Sequence, residues 1–188
     1  MNQKIEDQNR RMDRIIEWVK VCDSKTAILM SVVLLVPTFI IGTDWVLSKI
    51  EKITSLIIDA CKSSDVGICS LIISLCLLLI TIAFTIKSFY HFVSVLIAKT
   101  KEDTYNKQGI KTKSLIHFNN ISKIEKFNEY KKKMAKESDE CYYEDLLSQT
   151  YINAIRCAEK FKQYNKGILW LCLAMVALLF FIISLFFI

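Results

Sequence analysis

Charged and uncharged positions are segregated along this chain rather than interleaved. Three uncharged blocks, Thr26 to Thr43, Val66 to Ile86 and Gly167 to Ile188, hold most of the apolar residues, and the charges crowd into Met1 to Lys25 and Lys87 to Lys166. The first block alone would rise about 27 Å as a helix, close to the roughly 30 Å of bilayer hydrocarbon. The pattern predicts an all-α membrane protein with three transmembrane helices and a cytoplasmic helical segment between spans two and three. In order, it reads as an amphipathic N-terminal helix (1–25), span one (26–47), an external connection (48–65), span two (66–86), the cytoplasmic segment (87–166) and span three (167–188).

Finer periodicity subdivides the charged stretches. Ile5, Gln8, Met12, Ile15, Val19 and Cys22 follow the alternating three and four spacing of a heptad seam, with mixed charges behind it. Such a seam suits either a self-associating coil or an intramolecular contact with the later polar segment. Ser88 to Ala98 extends span two as an apolar helix below the membrane, and Lys99 to Lys113 reads as a loop around Gly109. Leu115 to Met134 alternates at mostly helical spacing. Ser138 followed by Asp139 and Glu140 is a helix start, a capping hydroxyl with acids in the first turn. With no breaker before Gly167, that helix is expected to run directly into span three.

Composition agrees with a membrane protein: 53% of the residues are hydrophobic and 23% charged, too apolar for a soluble domain. The first block begins too far in for an ordinary signal peptide, its flank carries acids as well as bases, and it is expected to be retained. Charge then orients the spans. Lys87 to Lys166 has sixteen bases against ten acids and the stretch to Lys25 six against five, while Asp44 to Gly67 has three against four. By the positive-inside rule the basic segments and the N-terminus face the cytoplasm of a multi-pass membrane protein. The net charge of +6 is thus accounted for by topology, and no nucleic-acid motif accompanies it.

Candidate chemistry is sparse. The seven cysteines form no C-x-x-C pair and read as small apolar fillers; only Cys61 and Cys69 would face an oxidising side. There is no glycine-rich phosphate loop, no nucleophile elbow and no metal-spaced His/Cys set, so no catalysis, metal or cofactor is expected. On the helix after Ser138, an apolar stripe (Leu147, Tyr151, Ala154, Ala158, Phe161) is accompanied by a polar one, Gln149, Asn153, Arg156 and Lys160. Amides present paired donor and acceptor edges to a base, and guanidinium and ammonium supply charge for a phosphate. On composition alone an exposed helix face explains the polar stripe better.

Three stretches carry a resemblance: Asp23-Ser24-Lys25-Thr26-Ala27-Ile28-Leu29 at the entry to span one, Ile116-His117-Phe118-Asn119-Asn120-Ile121, and the helix from Gln149 and Asn153 to Lys160-Phe161. In this order around three spans, the chain resembles the transmembrane effectors of Pycsar antiphage systems over nearly its whole length. It departs from their pattern at Thr26, where alanine is favoured, and at Asn119-Asn120, where a glycine-aspartate pair is. The resemblance implies an oligomeric effector, silent until a cyclic pyrimidine nucleotide (cUMP or cCMP) appears, that then impairs the inner membrane and aborts infection. It also implies ligand binding by Gln149, Asn153, Arg156, Lys160, Asn119, Asn120 and Lys25, with membrane lipid as the other partner. Two other classes fit the residues: a non-catalytic scaffold or interaction subunit docking through the Ile5 to Val19 seam, and a SLATT-type membrane effector, against which the third span argues.

Overall fold

The computed structural model describes residues 1–60, 67–97, 109–111 and 114–186. Among them the chain forms six α-helices and no strand: α1 (Asn2–Ile41), α2 (Asp44–Ala60), α3 (Gly67–Leu96), α4 (Phe118–Ile121), α5 (Phe127–Lys136) and α6 (Asp139–Leu185). The expected loop at Lys99 to Lys113 falls largely outside the described residues, as does Cys61. Two compact units share the two longest helices: a polar unit of Met1–Asp23 with Ile97–Phe161, and an apolar unit of Ser24–Leu96 with Lys162–Ile188.

In the apolar unit, α3 and the second half of α6 run antiparallel. Ser74 donates to Ser184 at 2.8 Å, Phe84 meets Trp170 at 5.3 Å between centroids, and the Ser88 hydroxyl donates to the Gly167 carbonyl at 2.9 Å. Gly167 is required there, because a Cβ would lie 2.5 Å from the ring of the fully buried Phe92. Lys87 places its ammonium 4.3 Å from the centroid of the Trp170 ring, a cation–π contact at the polar end of the span. Val46, Leu71, Leu178, Phe181 and Leu185 form the core. The outward positions remain apolar, with Leu35, Phe39, Ile72, Ile73, Leu79, Leu169, Leu179 and Phe180 all more than half exposed. An apolar surface of that extent belongs against lipid. The threonine hydroxyls of α3 return to their own helix, Thr81 to the Leu77 carbonyl and Thr85 to that of Thr81, so they are satisfied without water.

Two helices, α3 over Leu71–Leu96 and α6, are long and apolar enough to cross a membrane, and α1 with α2 makes a third if that bent pair counts as one span. The bend is 64° and falls inside the stretch expected to be span one. Gly42 begins it: its amide still bonds the Thr38 carbonyl, while the Thr43 hydroxyl turns back to cap the Ile40 carbonyl at 2.8 Å. Asp44 then opens a new helix with an acid in the first turn. As far as Ala60 the chain after the bend is therefore helical, with polar Asp44, Ser48, Glu51, Ser55 and Asp59 recurring every three or four residues along α2.

The polar unit follows its sequence less closely. Leu115 to Met134 does not form one helix but the single turn α4 and the ten-residue α5, separated where Lys126 takes an extended conformation. The helix start at Ser138 is as expected, its hydroxyl accepting the Cys141 amide at 3.3 Å. Of the N-terminal seam, Gln8 and Cys22 are buried and Ile5, Met12, Ile15 and Val19 partly so. The seam is turned into this unit, which is the intramolecular alternative. Here α1 runs parallel to α6, with Trp18 edge-on to Phe161 at 6.1 Å and Asn9 opposite Tyr142.

Candidate functional site

The first half of α6 presents its polar stripe inward and its apolar stripe outward as far as Ala158, beyond which Phe161 turns in against Trp18. Leu147 and Tyr151 are 40% and 50% exposed and Ala154 and Ala158 also face out, whereas Gln149 is 2% exposed and Asn153, Arg156 and Lys160 are half-buried. The exposed-face reading of the stripe is thus corrected. Burying these side chains is favourable only because the rest of the unit brings polar groups to meet them.

Those groups come from α1 and from the segment before α4. At one end, Lys160 pairs with Asp23 of α1 at 2.5 Å. In the middle, Arg156 lies close enough to His117 to disfavour its protonation: burial first, then the Arg156 charge, hold the imidazole below its ordinary pKa, against an opposing pull from Asp145. At the other end, Asp145 is fully buried, and its Oδ2 accepts the Leu115 amide at 2.8 Å. Ser114 shapes the chain there, its hydroxyl accepting the Ile116 and His117 amides at 3.1 and 3.0 Å.

Lys111 also contacts α6. Its amide donates to the Ser148 hydroxyl at 3.2 Å, and its ammonium reaches the Cys141 carbonyl at 2.9 Å, the Cys141 thiol at 3.0 Å and Glu137 at 3.5 Å. Burial works against the Lys111 charge, but the thiol hydrogen bond with the Asp145, Cys141 and Glu137 charges outweighs it and raises the pKa. Lys111 is thus a fixed cation. Burial also pushes the Cys157 thiol up, opposed by Lys160.

Of the seven residues the sequence singled out, the structure assembles Gln149, Asn153, Arg156 and Lys160 on one inward face. Asn119 is exposed and Asn120 half-buried on α4, linked to that face through the neighbouring His117. Lys25 is exposed on α1 within the apolar unit. Sequence reasoning missed Asp145, His117, Ser114 and Lys111. Asp145 was available in principle, since it precedes Gln149 by four and extends the stripe by one turn; nothing in the sequence points to Ser114 or Lys111. Among the described residues no group of His, Cys, Asp and Glu is arranged to hold a metal ion.

Long helices with exposed apolar surfaces, joined in one chain to a helical unit whose polar side chains converge inward, are those of a membrane protein. The chain belongs to the Pycsar effector family: the family model described as the Pycsar effector protein domain matches residues 7–188. Its role is that of an effector in antiphage defence. No curated protein and no solved structure matches it.

Proposed function

We propose that the polar unit binds a cyclic pyrimidine nucleotide, cUMP or cCMP, and that binding converts the protein from a silent to a membrane-impairing state, aborting infection. The protein acts without catalysis, in the bacterial inner membrane, with its N-terminus and polar unit cytoplasmic, and as a homo-oligomer. The observation that carries this reading is the inward stripe: two carboxamides followed by a guanidinium and an ammonium on one face of α6, the helix that continues without a break as an apolar span. Amides suit a base and the two cations suit a cyclic phosphate. In the structure described, Lys160 is neutralised by Asp23, so the ligand phosphate competes with a carboxylate of the same chain. The ligand can shift the protein only by its differential affinity for the two states, and this competition supplies such a difference.

The test is equilibrium binding of radiolabelled cUMP and cCMP to the full chain purified in detergent, with cAMP as the purine control. Saturable binding of a pyrimidine nucleotide, displaced by the unlabelled compound and not by cAMP, supports the reading. A protein that binds neither pyrimidine nucleotide rules it out.

A further inference from the structure

Among the described residues three buried polar atoms of the polar unit have no hydrogen-bond partner: Glu137 Oε1, which faces the Lys111 ammonium at 3.5 Å, and, one helical turn apart on α6, the Asp145 Oδ1 and the Gln149 Nε2. Both side chains are almost wholly buried, Asp145 at 0% and Gln149 at 2% exposure. Leaving such groups unpaired is unfavourable, and unpaired buried groups mark places where a partner belongs. Their geometry is constrained as well. The Leu115 amide holds Oδ2 of Asp145 at 2.8 Å, which fixes the carboxylate and leaves Oδ1 as a single directed acceptor. Spacing of four residues sets the two side chains next to each other on one face. The pair therefore offers a fixed acceptor on Asp145 beside an unpaired amide nitrogen, a donor, on Gln149.

Resting on the nucleotide reading above, we propose that Asp145 and Gln149 read positions 3 and 4 of the pyrimidine ring and so decide which pyrimidine nucleotide is recognised. At these positions the two bases are inverse. Uracil carries a donor at N3 and an acceptor at O4, whereas cytosine carries an acceptor at N3 and a donor at N4. An acceptor and a donor in fixed order match one base in a given ring pose and oppose like to like on the other. A site built to hydrogen-bond its ligand discriminates strongly against a partner that leaves its buried groups unpaired. The remaining stripe fits the rest of the ligand. Arg156 lies seven residues beyond Gln149, about 10 Å along the helix, the order of the distance from a pyrimidine's hydrogen-bonding edge to its cyclic phosphate.

The experiment exchanges the order of donor and acceptor. In Asp145→Asn the amide oxygen takes over the Leu115 amide and the amide nitrogen turns to the ligand as a donor; in Gln149→Glu the donor becomes an acceptor. The double variant keeps net charge and shape, and binding of cUMP and cCMP is measured to it and to the wild type, both as full chains in detergent. Whichever nucleotide the wild type prefers, the double variant is expected to prefer the other, with the affinity ratio inverted by at least about tenfold on each side. Gln149→Met, which removes the donor at similar volume, covers the case in which the double variant fails to fold. It should bring the cUMP to cCMP ratio within a few-fold of one. Thermal melting and gel filtration report folding of each variant. An unchanged ratio in a folded double variant, or in Gln149→Met, overturns the base-reading role while leaving nucleotide binding intact. A wild type that binds neither nucleotide overturns the underlying reading itself.

Discussion

Lys160 of α6 and Asp23 of α1 form a part-buried ion pair, Nζ to Oδ1 at 2.5 Å, across the parallel packing of the two helices in the polar unit. The pair uses a cation that the proposed ligand needs. Asp23→Asn removes the competing charge and releases Lys160, and a pair of this exposure is worth up to about 1 kcal/mol. Less ligand should then be needed, the midpoint of depolarisation against nucleotide falling up to about fivefold. A midpoint that rises instead would mean the pair holds the binding-competent shape.

Gly167 and Phe92 make a second prediction, in the apolar unit. A side chain at 167 has no room against the buried Phe92 ring, and overpacking of this kind costs about 1 to 3 kcal/mol. Gly167→Leu should lower the melting temperature of the detergent-purified protein and weaken the Ser88 to Gly167 contact. An unaltered melting curve would place α3 and α6 farther apart than described.

The imidazole of His117 ties stability to pH. Its folded pKa lies below the ordinary value near 6.5, so between the two values the unfolded chain holds more protons than the folded one. The stability it contributes is complete above about pH 6.5 and is lost as pH falls from there through the folded pKa. Denaturation of wild type should therefore be easier at pH 5.5 than at pH 7.5, and His117→Gln should show a smaller difference. Identical pH slopes for the two proteins would remove His117 from the account.

Orientation can be read with a membrane-impermeant thiol reagent on intact cells. In a chain with Cys61 and Cys69 replaced by serine, Asp44→Cys, at the exposed start of α2, should label from outside, while Cys141 in the polar unit should not. Labelling of Cys141 with Asp44→Cys protected would invert the topology.

Much of this architecture is legible in the sequence because charge segregation is a one-dimensional signal. The uncharged blocks, the Ser138 cap and the run of α6 into an apolar span all follow from local composition and periodicity. The bend after Ile41 does not, since Gly42-Thr43 sits inside an uncharged run and only the capping by Thr43 and the restart at Asp44 reveal it. Periodicity also showed that Gln149, Asn153, Arg156 and Lys160 share a face, but not that this face points inward. That depends on Asp23, Leu115 and His117, which come from distant parts of the chain and make burial of the stripe tolerable. The ordinary rule that apolar stripes go inside fails at Leu147 and Tyr151 for the same reason.

The central claim is that the stripe on α6 couples a nucleotide to the membrane, and Arg156 is its most direct probe. The measurement is dye-reported depolarisation against added cUMP or cCMP, in proteoliposomes, for wild type, Arg156→Ala and Lys123→Ala, the last an exposed lysine off that face. Loss of a charge-assisted contact worth about 1.5 to 3 kcal/mol should move the Arg156→Ala midpoint roughly ten- to hundredfold higher, with Lys123→Ala unmoved. Equal midpoints for all three proteins would contradict the account.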